Sequence, residues 1–171
     1  MLRFVLWLPL CAALCLVAPG CRTSTRSSGL PGHIRTVEVE MFSNKTMYKD
    51  LEGRLTRQII DRLNADANIK VVSRGGDAVI TGEITRVSRR TLRETTTDEP
   101  ATVQLIIHAT YSFYDEHERR YIKDEVAVVS NRSSSTAGLY EAVRGESVAA
   151  AEEGAMRALA QEIVWGTVAA W

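Results

Sequence analysis

Apolar residues in this chain fall into two rhythms, and their changeovers mark its elements. Thr36-Val37-Glu38-Val39-Glu40-Met41-Phe42 alternates apolar and polar residues, as a half-buried strand does, and Ser43-Asn44-Lys45-Thr46 breaks the pattern. From about Asp50, a residue type that can cap a helix, Leu51, Leu55, Ile59 and Leu63 recur at every fourth position. Ile60 widens that stripe, while Arg54, Arg57, Gln58, Asp61 and Arg62 lie opposite, so a helix with one apolar face is predicted to end near Asn64. Ile69-Lys70-Val71-Val72-Ser73 reads as a short strand and Arg74-Gly75-Gly76-Asp77 as a turn. Ala78, Ile80, Gly82 and Ile84 then line one side of a strand that can continue through Val87 toward Leu92.

The polar residues 93–100 predict a long hairpin loop. After it, Val103, Leu105, Ile107, Ala109, Tyr111 and Phe113 alternate with a mostly polar second face, so one side packs and the other meets solvent or a partner. Asp115-Glu116-His117-Glu118 makes a charged turn, and Tyr121 through Ser130 carries Ile122, Val126 and Val128 on one side. Residues 131–140 are polar and Ser-rich. Ser147 opens an Ala-rich helix to about Ala170, with Val148, Ala151, Ala155, Leu159 and Ile163 as its stripe and Trp165 assigned by default to the core. The order β-α-β-β-β-β-α, with both helix stripes needing cover, predicts an α/β (α+β) sandwich. Two helices pack on one face of a mixed four- to five-stranded sheet, whose strand–helix–strand start makes a right-handed crossover.

Ahead of this domain, Arg3 precedes an apolar run from Phe4 to Ala18, then Pro19-Gly20-Cys21. A basic start, a short apolar run and a small residue at a boundary describe an export signal, and the run is shorter than the ~20 residues of a spanning helix. Cys21 followed by a polar tether has the layout of a bacterial lipoprotein signal, in which that cysteine is acylated. The other two cysteines, Cys11 and Cys15, lie inside the apolar run, so no disulfide partner remains after cleavage. The expected organisation is a signal peptide over 1–20, a lipidated N-terminus and linker over 21–33, and a single domain over 34–171. Lysines and arginines number 21, as do aspartates and glutamates, and this balance argues against a general nucleic-acid binder.

Chemistry is sparse. His33 lies in the linker, His108 on the polar side of a strand and His117 in a turn, none at metal-ligand spacing. His117 between Glu116 and Glu118 reads as solvated turn charge, because an exposed turn supplies no fixed geometry for a cation. Ser133-Ser134-Ser135 has no neighbouring base or oxyanion motif, and Gly75-Gly76 is too short for a phosphate-cradling loop. No catalytic residue, metal site or cofactor is expected. The one charged cluster is Arg86, Arg89, Arg90 and Arg93, running from a strand end into the hairpin loop, with Glu94, Asp98 and Glu99 as local counter-charges. Along a regular strand Arg89 and Arg93 share the side of Val87, and Arg86 and Arg90 take the other. Guanidinium forks bind phosphate bidentately, so the cluster suits a phosphorylated glycolipid as well as a solvated strand end.

Several phrases together resemble the lipopolysaccharide-assembly lipoprotein family LptE. They are Gly29-Leu30-Pro31, Ile34 to Val39, Met41-Phe42-Ser43-Asn44-Lys45-Thr46, Leu51 to Asn64, Val71-Val72-Ser73 and Asp77 to Ile84. The resemblance implies an outer-membrane lipoprotein on the periplasmic side, held through lipid on Cys21. Such a protein sits partly inside an LptD-like β-barrel and assists its assembly and the insertion of lipopolysaccharide. It also implies lipopolysaccharide contacts of the type that Arg89, Arg90 and Arg93 offer. The opening "Val-x-Val-x-x-Phe-x-Asn" also resembles outer-membrane lipoproteins of the curli-secretion and penicillin-binding-protein-activator type, which are oligomeric pores or enzyme regulators. Of the later segments, only 102–114 and 120–130 alternate usefully, and their second faces are too polar to meet lipid.

Overall fold

The computed structural model describes residues 30–66, 69–94, 96, 100–131, 136–141 and 146–168. The expected signal peptide, Cys21, the start of the linker, Ser133-Ser134-Ser135, Asp98, Glu99 and Trp171 lie outside the described residues. The elements are β1 (Thr36–Val39), β2 (Ser43–Asn44), α1 (Leu51–Asp66), β3 (Lys70–Val72), β4 (Ala78–Glu94), β5 (Pro100–Asp115), β6 (Arg120–Val129), β7 (Leu139–Glu141) and α2 (Val148–Val168).

One mixed sheet runs β3-β1-β4-β5-β6, with β2 beside β4 and β7 beside β5. β1 pairs in parallel with both β3 and β4, whereas β4, β5 and β6 form an antiparallel meander. Both helices pack on one sheet face. The stripe Leu51, Leu55, Ile59 and Leu63 is buried there with Ala155, Leu159 and Ile163, against Val37, Ile80, Ile84, Ile107, Tyr111 and Phe113. The architecture is the expected α+β sandwich, but with seven strands in place of four or five. The additions, β2 and β7, are segments of two and three residues, too short to display any hydrophobic period.

Two local expectations change. Asp50 stands at the head of α1 with a left-handed φ of 63°, and its carboxylate makes no hydrogen bond among the described residues. The first turn is served instead by Glu52, whose carboxylate accepts a hydrogen bond from the Asn44 amide and is held below its ordinary pKa by its own backbone N–H and by Asn44. Trp165, assigned by default to the core, is 49% exposed. At about 100° per residue it lies on the far side of α2 from buried Ile163.

The segment between β1 and α1 is fastened from both sides. Glu40 donates its backbone N–H to Ile80, and Lys45 to Ile84. The Phe42 N–H donates to the buried Thr56 hydroxyl, which itself donates to the Glu52 carbonyl. The Phe42 ring fills the space over Gly82, where a Cβ would lie 2.3 Å from a ring carbon and 2.7 Å from the Thr110 carbonyl oxygen. Asn44 organises the loop by accepting from the Thr46 N–H and hydroxyl while donating to the Tyr48 carbonyl.

Candidate functional site: an arginine-bearing hairpin arm

β1 and β2 flank β4 only along Val37–Val39 against Ala78–Ile80 and Ser43–Asn44 against Glu83–Ile84. Beyond that point β4 continues with β5 alone, as an arm reaching Glu94. A second, small cluster of Val103, Leu105, Tyr140 and Ala151, with Val87 and Val148 against it, ties the arm to β7 and the start of α2. The arginines therefore ride on a packed element, and the strands reach into the stretch 93–100 expected as loop, β4 to Glu94 and β5 from Pro100.

Two bulges decide which way they point. Residues opposite one another in an antiparallel pair share a sheet face. Ile84 faces Ala109 and Arg86 faces His108, so Thr85 is an extra residue that moves the helix-side set from even to odd positions. Thr91 faces Val103 and Arg93 faces Thr102, so Leu92 is a second extra residue. Arg86, Arg90 and Arg93 consequently share the face turned away from the helices, opposite His108, Gln104 and Thr102. Arg89, opposite Leu105, stands on the helix side. The regular-strand grouping of Arg89 with Arg93 is corrected by the bulge at Leu92.

All four arginines are exposed, and none makes an ion pair among the described residues. With a rise near 3.4 Å per residue, Arg86 and Arg90 are about 14 Å apart along the strand. His108 stays on the neutral side: burial lowers its pKa first, the nearby Arg86 charge lowers it further, and its Nε2 lies 3.2 Å from the Ser88 hydroxyl. The result is a row of positive charges with no ion-pair partner among the described residues, a group type whose planar forks suit oxyanions in general.

In the β5–β6 turn Glu116, His117 and Glu118 are exposed, as expected, while Asp115 before them is not. Asp115 is fully buried, and its Oδ1 accepts the N–H groups of His117 and Glu118, both at 2.9 Å. His33, from the linker, lies with Nε2 2.7 Å from Asp115 Oδ2. This contact spans 82 positions and carries no local sequence signal.

Solved structures share the fold at low identity. A hypothetical protein from Chlamydia trachomatis superposes with a TM-score of 0.53 at 12% identity, covering 81% of this chain and 99% of that one. An uncharacterized lipoprotein B from Nitrosomonas europaea gives a TM-score of 0.52 at 13% identity, covering 83% and 86%. No curated protein sequence matches the chain. Residues 34–165 match the model of LptE, Lipopolysaccharide-assembly, and the chain belongs to that family.

Proposed function

We propose that this protein is a lipid-anchored LptE-type component of the outer-membrane machinery that inserts lipopolysaccharide. Acyl chains on Cys21 hold the domain to the periplasmic side of the outer membrane, each buried CH2 contributing about 0.8 kcal/mol. The sandwich supports an LptD-like β-barrel, and the arm offers Arg86, Arg90 and Arg93 to glycolipid phosphates, with Arg89 contributing from the other face. It works by contact, with no bond made or broken. Family membership supports the reading, as does the lipoprotein B of Nitrosomonas europaea among the proteins sharing the fold. The observation that carries it is the row of guanidinium groups, with no ion-pair partner among the described residues, on a packed arm of an LptE-family domain.

Glycolipid binding tests it. The combined substitution Arg86→Ala, Arg90→Ala, Arg93→Ala should weaken lipopolysaccharide binding at low salt at least tenfold, which corresponds to about 1.4 kcal/mol. Arg89→Ala alone should cost less. Added salt should shrink the difference, since the charges are exposed and screened within about 8–10 Å. Unchanged low-salt affinity in the triple variant contradicts the assignment.

A further inference from the structure

The geometry points to a divalent transition-metal site formed by His33, Asp115 and Glu118, clasping the end of the N-terminal linker to the β5–β6 turn. Each residue offers one ligand atom, and the three atoms lie within 4.8 Å of one another. They come from two parts of the chain: His33 precedes β1, while Asp115 ends β5 and Glu118 follows in the turn. Their arrangement is more specific than proximity of charges on a surface. Asp115 has no solvent exposure, and two backbone N–H groups occupy its Oδ1, leaving Oδ2 aimed at the His33 ring. An outer set of hydrogen bonds that fixes one carboxylate oxygen and frees the other is how proteins orient ligands for a metal.

The neighbouring groups sharpen the assignment. Asp77 is the next carboxylate, but its Oδ2 is taken by the N–H groups of Arg35 and Thr36 and by the Thr36 hydroxyl. The His117 ring packs beside His33 at 5.5 Å between centroids, shielding one side. Glu118 also pairs with Arg120, and its side chain is 42% exposed, so it can rotate inward. Zinc binds imidazole nitrogen and carboxylate oxygen at about 2.0–2.2 Å, which sets tetrahedral ligand atoms about 3.3–3.5 Å apart. The His33–Asp115 separation of 2.7 Å opens slightly to reach that spacing, and the exposed Glu118 closes to it. Water completes the fourth position. An imidazole with two carboxylates suits a borderline ion such as zinc over magnesium or calcium, which prefer oxygen alone. Binding would fix where the linker leaves the domain, independently of any role in glycolipid handling.

The test uses the mature protein in detergent, stripped with chelator and untagged, with Cys21 blocked by acylation or, where unacylated, by alkylation so that no thiolate competes. Titration with zinc chloride, followed by calorimetry, should give one saturable site per chain in the micromolar range. Magnesium chloride at the same concentrations should give none. His33→Ala and, separately, Glu118→Gln should each weaken zinc binding at least tenfold; both positions reach solvent, so folding is checked by circular dichroism without relying on the buried Asp115. Absence of saturable zinc binding, or affinity within twofold of wild type in either variant, overturns the site and leaves the His33–Asp115 contact as a hydrogen bond only.

Discussion

Asp77 fastens the entry to β1 through a single carboxylate oxygen. Its Oδ2 accepts the Arg35 N–H at 2.9 Å and the Thr36 N–H and hydroxyl, each at 2.8 Å. The Thr36 hydroxyl in turn accepts the Asp77 N–H at 3.0 Å. These donors, the Arg35 N–H foremost, hold the carboxyl below its ordinary value of 3.8. A depressed folded pKa means that the group's stabilisation is complete above the unfolded value and is lost as pH falls through the folded one. Asp77→Asn should therefore lower the denaturation midpoint at neutral pH, and the gap from wild type should narrow as pH drops below 3.8. A gap of constant size down to about pH 2 would show that the carboxylate charge is not what holds this turn. The phrase Phe42-Ser43-Asn44-Lys45-Thr46, which carries much of the family resemblance, has an equally local physical reading. Phe42 covers Gly82, and Asn44 ties Thr46, Tyr48 and Glu52 together. That signature speaks of fold. It was legible because its residue types act on near neighbours, whereas the His33–Asp115 contact depends on tertiary closure and was not.

At the scale of elements, periodicity located both helices because their burial follows a single stripe. Leu159 is fully buried, while Trp165 on the same helix is 49% exposed. Residue type alone assigned that tryptophan wrongly; helical phase decides its side. Leu159→Ala should cost about 2–5 kcal/mol in unfolding free energy. Trp165→Ala should cost less, under about 2 kcal/mol, since half of the side chain is already in solvent. Urea denaturation of the two variants separates them, and a larger loss at Trp165 would contradict the packing described for α2. The long strand β4 was foreseen past Val87, yet its bulges were not. An extra residue leaves no mark in an exposed polar stretch such as Thr91-Leu92-Arg93, where neither face is consistently apolar. That is why the arginines were found from sequence but their facing required the register with β5. β2 and β7 likewise rest on main-chain pairing, which side-chain patterns do not report.

For the whole molecule, the design is a domain with its helices on one sheet face and an arginine arm reaching past the sheet's neighbouring strands, to which the proposed function adds an N-terminal tether. The tether's role rests on Cys21. Cys21→Ser should shift the protein from outer-membrane fractions into the soluble periplasmic fraction, and retention of the variant as a lipidated species would contradict acylation at that residue. If the proposed function holds, the domain acts by contact, so what accompanies it in the membrane is the most direct evidence of its role. The decisive measurement is affinity purification of the full chain from mildly solubilised outer membranes, with mass spectrometry of what accompanies it. The account predicts recovery of a large outer-membrane β-barrel of the LptD type together with lipopolysaccharide. Recovery of only peptidoglycan-synthesising enzymes, or of a symmetric pore made of this chain alone, would contradict it.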